Sequence, residues 1–576
     1  MMSDDLRELI FAIALENASK YGGKPNKGSV IGKLVYLRPD VKSKIKDLMP
    51  IIDSAIKEVE NIPLDKQINL LSKYKNLVTV KKEESEELPP LPGAEVGKVV
   101  TRFAPNPDFV LHLGSVRPLL FSYLYAKKYQ GKFILRFEDT DPRLKKPRPE
   151  FYNLILEDLE WLGIKPDEVY YQSDRLDLYY DVARRLLENG LAYVCTCKKD
   201  EFTKLLLAKS PCPHREDTPE NNLERFDMML NGEFEEGEAV LRIKTDLTHP
   251  NPSVRDWAAL RIIDTEKYPH PRTGSKYRVW PLYNFSCAID DHFMGVTHVI
   301  RGSEHKINEE KQKYIYKHMG WIPPIAIHHG RVAIPGGVLS KSKIIRGIEE
   351  GTYSGIDDPR LATLVALRRR GYQPEAIKKV MLRGGLKASL TTIDWSLLAA
   401  ENRAIIDDIA NRYFGVREPK ILKFNYPSTN KINVTIRLHP EHPERGVRKL
   451  YIPFDKGYKV LLDTEDFEKI QEGITFRLIA LGNFQLVTKS ADEAYAEYLN
   501  NDVNWAKERK IRFIHWLPPT EIIKSRLIYP GRDYEGYIEG NIISEKVGNL
   551  VQLERIGFFK LENLSKKYAQ MIFTHE

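Results

Sequence analysis

Only four cysteines are spread over 576 residues, too few for a disulfide framework, which leaves reduced thiols or a metal site as their uses. The chain also lacks a long apolar run. No stretch approaches the roughly 20 hydrophobic residues that a membrane-spanning helix requires. The opening "MMSDDLRELIFAIALENASKYGG" is acidic and then amphipathic, unlike a secretory signal, and a cytoplasmic protein is expected. Nowhere does Gly-x-x-x-x-Gly-Lys-Ser/Thr occur, which excludes a Walker loop as the phosphate-binding device. Internal repeats are absent, and no low-complexity tract exceeds one charged linker, so solenoids and repeat arrays are excluded as well. Nor is charge of one sign in large excess: 88 Lys and Arg face 80 Asp and Glu, a net +8 that leans only gently toward a polyanionic partner.

What is present divides the chain into several domains, as its length requires. Residues 1–80 carry Leu and Ile at helical spacing, as in "LRELIFAIALENA", and read as a small helical module. The stretch 81–96, with "KKEESEELPPLPGAE", is charged, Pro-rich and aperiodic, and reads as a linker. From 97 to 175 short apolar runs alternate with amphipathic helices, the strand–helix–strand grammar of a parallel sheet whose ligands sit at the strands' C-terminal ends. A second such stretch covers 278–345. Between them, 176–277 holds all but one of the cysteines and reads as an inserted domain. Residues 346–415 turn helical again, and 416–576 drop to a period of two. There Ile432, Val434, Ile436 and Leu438 alternate with Asn433, Thr435 and Arg437, and Ile474, Phe476 and Leu478 with Thr475 and Arg477, the pattern of half-buried antiparallel strands.

Two loops carry chemistry. "RFAPNPDFVLHLGS" (Arg102–Ser115) ends in a turn that opens a helix, and a helix N-terminus with unpaired N–H groups is a ready anion site, to which His112 and Ser115 add side-chain donors. "VLSKSK" (Val338–Lys343) brings Ser340, Lys341, Ser342 and Lys343 in a Gly-flanked loop just past the second strand–helix–strand stretch. Two cationic loops at one end of a sheet can grip a triphosphate from both sides. In the inserted stretch, Cys195, Cys197, Cys212 and His214 offer three thiolates and an imidazole in the pairwise spacing of a tetrahedral structural zinc site. Cys287 follows an apolar pattern and is expected in the core. His292, His298, His305, His328 and His329 have no ligand-like spacing and are expected to be packed or solvated.

"HLGS" and "VLSKS" resemble the two signature motifs of the class I aminoacyl-tRNA synthetases. "TRFAPNPDFVLHLGSVRPLLFSYLYAKKYQGKFILRFEDTDPR" resembles the glutamyl subgroup in its archaeal and eukaryotic branch, whose architecture the glutaminyl enzymes share. "KYGGKPNKGSVIGKL", "WPLYNFSCAIDDHFMGVTHVIRGSEH" and "EKVGNLVQLERIGFFKLE" are similar to the matching parts of that family, in the same order. The resemblance implies a multidomain α/β fold: a Rossmann-type catalytic domain in two halves, an inserted α/β domain binding the tRNA acceptor end, a helical stem-contact domain and C-terminal antiparallel β-barrels reading the anticodon. The implied reaction is ATP-dependent ligation of L-glutamate to the 3′ end of tRNA(Glu) through a glutamyl-adenylate, with Mg2+ accompanying ATP. His112, Gly114, Leu339, Ser340 and Lys341 fall on the ATP-binding positions, and His112, Ser115, Ser340 and Lys341 on the catalytic ones. The pattern departs in three places: Ser115 stands where many relatives have a second His, Val338 replaces the first lysine of its motif, with Lys343 near enough to compensate, and Asp108-Phe109 stands where relatives often carry Gly.

A site for glutamate must hold two carboxylates and an ammonium, which asks for arginines and an acid. By resemblance these are Arg102, Glu138, Tyr283 and Arg301. Arg301, facing the side-chain carboxylate, would reject glutamine because a neutral amide leaves a guanidinium desolvated and unpaired. "LRRRGYQPEAIKKVMLRGG" groups Arg368, Arg369, Arg370, Lys378 and Lys379 as candidates for tRNA phosphates. The N-terminal module is expected to bind another protein. Two alternatives stay open. A glutaminyl-tRNA synthetase shares the whole plan and is set apart by residues such as Ala104 and Arg301. A non-catalytic tRNA-binding paralogue would have lost His112, Lys341 or Glu138, all of which stand.

Overall fold

Strands that read as unbroken apolar runs form a sheet covered on both faces, because a parallel sheet is flanked by its own crossover helices. In a computed structural model, β1 (Val100–Phe103), β2 (Lys132–Phe137) and β3 (Glu168–Tyr171) run parallel. In β2, every residue after Lys132 is buried. All residues are described except 1–3, 21–22, 39–40, 42–44, 79–87, 429 and 456; the first part of the linker expected at 81–96 therefore lies outside the described residues. The chain falls into two units, Met1–Leu88 and Pro89–Glu576.

The first unit contains helices Asp4–Lys20, Lys27–Leu37, Ile45–Glu60 and Leu64–Val78. They enclose Ile10, Ile13, Leu34, Leu48, Ile52 and Val59. Asn26 caps the second helix by accepting from the Ser29 N–H. The buried Gln67 amide donates to the carbonyls of Gly23, Val59 and Ile62 at 2.9–3.0 Å, closing the turn regions around it.

In the second unit, four antiparallel strands are inserted after β3: β4 (Ala192–Cys195), β5 (Val240–Ile243), β6 (Ala258–Ile262) and β7 (Val279–Pro281). β7 still belongs to that sheet, so the insert runs past the expected boundary at 277. Helix Tyr283–Phe293 then returns the chain to β8 (His298–Gly302) and β9 (Ile325–His329). The parallel sheet has the order β3-β2-β1-β8-β9. Strand order reverses between β1 and β8, and the crevice outside the strand ends at such a switch point is where ligands bind. Helix Leu113–Lys128 covers the sheet through Leu113, Val116, Leu119 and Leu120, and the same core continues into Leu364, Leu367, Ile377 and Val380 of the helical region behind it.

Among the described residues the C-terminal region is three sheets of seven, six and two strands, mainly antiparallel with several parallel pairs, the two-stranded one pairing Ile432–Arg437 with Val447–Ile452. The seven-stranded sheet begins at Asn411, inside the stretch read from sequence as helical. Alternation holds in Ile432–Arg437, where Ile432 and Val434 are buried and Asn433 and Thr435 exposed. It fails in Thr475–Leu478: Ile474 is 50% exposed and Arg477 only 3%. Arg477 can stay inside because it donates to Asn483 Oδ1 at 3.0 Å and Asn501 Oδ1 at 2.9 Å. Among the described residues no helix is long and apolar enough to cross a membrane.

Candidate active site

Three neighbouring parallel strands each place one arginine near their C-terminal ends: Arg102 on β1, Arg136 on β2 and Arg301 on β8. All are buried, and burying a guanidinium is tolerable only with partners. Asp291, on helix Tyr283–Phe293, supplies one to Arg102 and Arg136. It accepts from Arg102 Nε at 3.2 Å and Nη2 at 3.3 Å, and from Arg136 Nη1 at 2.7 Å. Burial alone would raise the Asp291 carboxyl, but the two guanidinium groups overcome it and hold it at about 2. Arg136 also donates to Glu138 at 3.2 Å. Burial raises the Glu138 carboxyl while Arg136 and Arg102 pull it down, and burial prevails. Cys287, expected in the core, is buried under this group, its sulfur 3.5 Å from Arg102 Nη2 and 3.4 Å from Arg136 Nη2.

Above this floor opens a cleft of about 490 Å³. It brings together Arg102, Glu138, Tyr283 and Arg301 with His112, Gly114, Leu339 and Ser340. Helix Leu113–Lys128 starts at its rim, with His112 as N-cap residue; the imidazole makes no capping bond and faces the cleft instead. Burial lowers the His112 imidazole, favouring the neutral ring. Gly114 lies close beneath the His112 ring: a Cβ there would sit 3.0 Å from it, so a side chain would push the imidazole aside. The two motif segments, more than two hundred residues apart, line the same cleft. Ser115 lies behind His112, its Oγ 3.4 Å from Nδ1. Lys341 begins helix Lys341–Glu349 just outside the cleft and is ion-paired with Asp108. Asp108 thus gains a partner that sequence reading did not foresee. Val338, where a lysine was expected, packs with Phe109, Val110 and Ile344, and Lys343 is exposed.

Sequence reading missed part of the lining. Glu304, His305, His329 and Arg331 border the cleft as well. His305 had been expected to be merely packed or solvated; its ring lies 5.7 Å from that of Tyr283, and burial, with Arg301 beside it, lowers its imidazole to about 4, so the ring is neutral at physiological pH. The available signal was position, since His305 directly follows β8, where the sheet's ligands sit. In sum, the floor presents guanidinium and carboxylate groups and the rim a helix N-terminus, so the cleft suits a small zwitterion with an extra carboxylate beside a polyphosphate.

Comparison with known proteins gives the family. The model of the family described as "tRNA synthetases class I (E and Q), catalytic domain" matches residues 98–408. The chain belongs to that family. The corresponding anticodon-binding domain matches residues 410–501. A glutamate–tRNA ligase of Pyrococcus abyssi is 48% identical, with 99% of this chain and 100% of the relative covered. Those of Thermococcus kodakarensis and Thermofilum pendens are 47% and 46% identical, with both chains covered in full.

For a synthetase of this family, two further expected sites have plain outcomes. Cys195, Cys197, Cys212 and His214 meet in the insert, where Sγ–Sγ and Sγ–Nδ1 separations run from 3.4 to 3.6 Å. Tetrahedral zinc with bonds of about 2.0–2.3 Å sets ligand separations of about 3.5 Å, so the donor set fits such an ion. Of the five cations expected to face tRNA phosphates, most also have partners within the chain. Arg370 is 6% exposed and donates to the carbonyls of Pro359, Phe573 and Thr574 at 2.7–3.2 Å. Arg369 pairs with Glu562 and Asp357, Lys379 with Glu401, and Arg368 lies 3.6–3.7 Å from Glu157 and Asp158. Only Lys378 makes no ion pair among the described residues. Arg369 and Arg370 bracket helix Leu364–Arg370 against the C-terminal strands.

Proposed function

We propose that the protein joins L-glutamate to the 3′ end of tRNA(Glu), using ATP with its magnesium ion, as a cytoplasmic enzyme of protein synthesis. The observation that carries the reading is the cleft at the sheet's switch point, where Arg301 and Arg102 face one space with His112 and the start of helix Leu113–Lys128. Full-length relatives bearing the name glutamate–tRNA ligase support it.

In this reading an α-carboxylate oxygen of glutamate attacks the α-phosphorus of ATP. The new C–O–P bond forms as the bridge to the β-phosphate breaks, and pyrophosphate leaves. The terminal ribose 2′-hydroxyl of tRNA then attacks the carbonyl carbon, AMP departs and the hydroxyl proton is released. No protein nucleophile is needed, so catalysis is positioning and charge stabilisation. Arg102 and Tyr283 hold the amino acid, Glu138 takes its ammonium, and Arg301 reads the side-chain carboxylate. His112, with Ser115 behind it, and the backbone at Gly114 stabilise the crowded α-phosphate, while Leu339, Ser340 and Lys341 hold the departing pyrophosphate. Lys341 must exchange Asp108 for phosphate to do so. Cys195, Cys197, Cys212 and His214 would hold a zinc ion, which would cross-link the insert's turn. Lys378 meets tRNA phosphates, joined by Arg368, Arg369 and Lys379 where phosphate displaces their carboxylate partners.

Charging of total tRNA with labelled glutamate and, separately, glutamine tests the reading. Glutamate is expected to be incorporated and glutamine not, with Lys341→Ala and Arg301→Ala each lowering kcat/KM for glutamate about 100-fold. Preferential incorporation of glutamine would contradict it.

A further inference from the structure

The three arginines of the floor do not carry the same charge into the cleft. Arg102 and Arg136 share the carboxylate of Asp291 at 2.7–3.3 Å, and Arg136 also meets Glu138. Arg301 is held differently. Its Nη1 donates at 3.0 Å to the amide oxygen of Gln312, a neutral acceptor. Its Nε is buried without a partner among the described residues. The nearest acid, Glu309, is 4.0 Å from Nη2, and that carboxylate is shared with Lys313 at 2.7 Å and His328 at 3.4 Å.

Gln312 is 4% exposed on helix Lys306–Met319. A guanidinium can only donate, so the amide oxygen must face Arg301; the amide nitrogen then donates to Asn284 Oδ1 at 3.4 Å. The chain Asn284–Gln312–Arg301 is thus directional. An amide oxygen fixes where a guanidinium points and leaves its charge intact, whereas a carboxylate fixes and cancels it at once. A buried cation left uncancelled favours an anion and penalises a neutral ligand of the same shape.

Resting on the reading of the cleft as a glutamate site, we propose that Gln312 is a specificity-determining positioning residue, aiming Arg301 at the substrate side chain while leaving its positive charge for the substrate to neutralise. The amide at this position, and not the arginine alone, then sets the preference for an acidic over an amide side chain.

The test measures kcat and KM separately for glutamate and for glutamine in tRNA charging by wild type, Gln312→Glu and Gln312→Met, with KM for ATP alongside. Gln312→Glu is expected to raise the glutamate KM about tenfold or more and to lower the glutamate-to-glutamine ratio of kcat/KM by about tenfold or more. KM for ATP should not move. Gln312→Met removes the aim without adding charge, so it should raise the glutamate KM while keeping a higher ratio than Gln312→Glu. A purely structural role would not shift the ratio between two isosteric substrates. An unchanged ratio in Gln312→Glu, or an unchanged glutamate KM in Gln312→Met, overturns the proposal while wild type still charges glutamate. A wild type that does not charge glutamate overturns the functional reading itself.

Discussion

Asp291 is the residue on which the geometry of the floor depends. Two guanidinium groups converge on its carboxylate from different strands, 189 and 155 positions away in sequence. Removing a partner from a buried ion pair leaves an uncompensated charge, which costs about 3 kcal/mol or more. Asp291→Asn is therefore expected to lower unfolding free energy by about that amount in urea titrations, and to raise the KM for glutamate because Arg102 loses its fixed direction. The pH sign follows from the depressed carboxyl: its stabilisation is whole above about pH 4, the unfolded value, and is lost as pH falls toward about 2. The advantage of wild type over Asp291→Asn should hence be constant from pH 5 to about pH 8; an advantage that disappears within that range would show that the carboxylate is not the ionised partner described. At this scale the family resemblance pointed to Arg102, Glu138 and Arg301, and the fold brings all three to one cleft. The sequence concealed Arg136, Asp291 and Gln312, since their partners are set by the stacking of strands and helices and not by spacing along the chain.

Among elements, helix Leu364–Arg370 shows how a charge run misleads. Three consecutive arginines in its last turn suit both a solvated phosphate-binding face and a C-terminal bracket, as cations favour that end of a helix in either case. The structure uses Arg370 as a bracket, donating to three backbone carbonyls. Arg370→Ala leaves those carbonyls unpaired and is expected to cost about 1–3 kcal/mol, read as a lowered urea midpoint, with no change in the salt dependence of tRNA binding. A reduced salt slope without loss of stability would restore the phosphate-contact role. Strand periodicity was legible where one face is apolar, as in Ile432–Arg437. It misassigned Ile474 and Arg477 because two asparagine side chains give Arg477 the partners that a period of two cannot register.

For the whole molecule, the division into parallel sheet, insert, helical region and β tail could be read from changes of hydrophobic period. Boundaries could not, because β7 joins the insert's sheet and the strand at Asn411 joins the tail by hydrogen bonds between distant segments. The convergence of the two motif segments is likewise a property of the folded chain: Gly114 and Leu339 line one cleft, and Asp108 pairs with Lys341. In the proposed function this one cleft holds an acidic amino acid and a nucleotide side by side. Titration calorimetry with a non-hydrolysable glutamyl-adenylate analogue, with and without tRNA, tests that claim most directly. One molecule is expected to bind per chain, with affinity lowered about 100-fold in Arg301→Ala and clearly weakened in His112→Ala. Binding that is equally tight in wild type and both variants would contradict it.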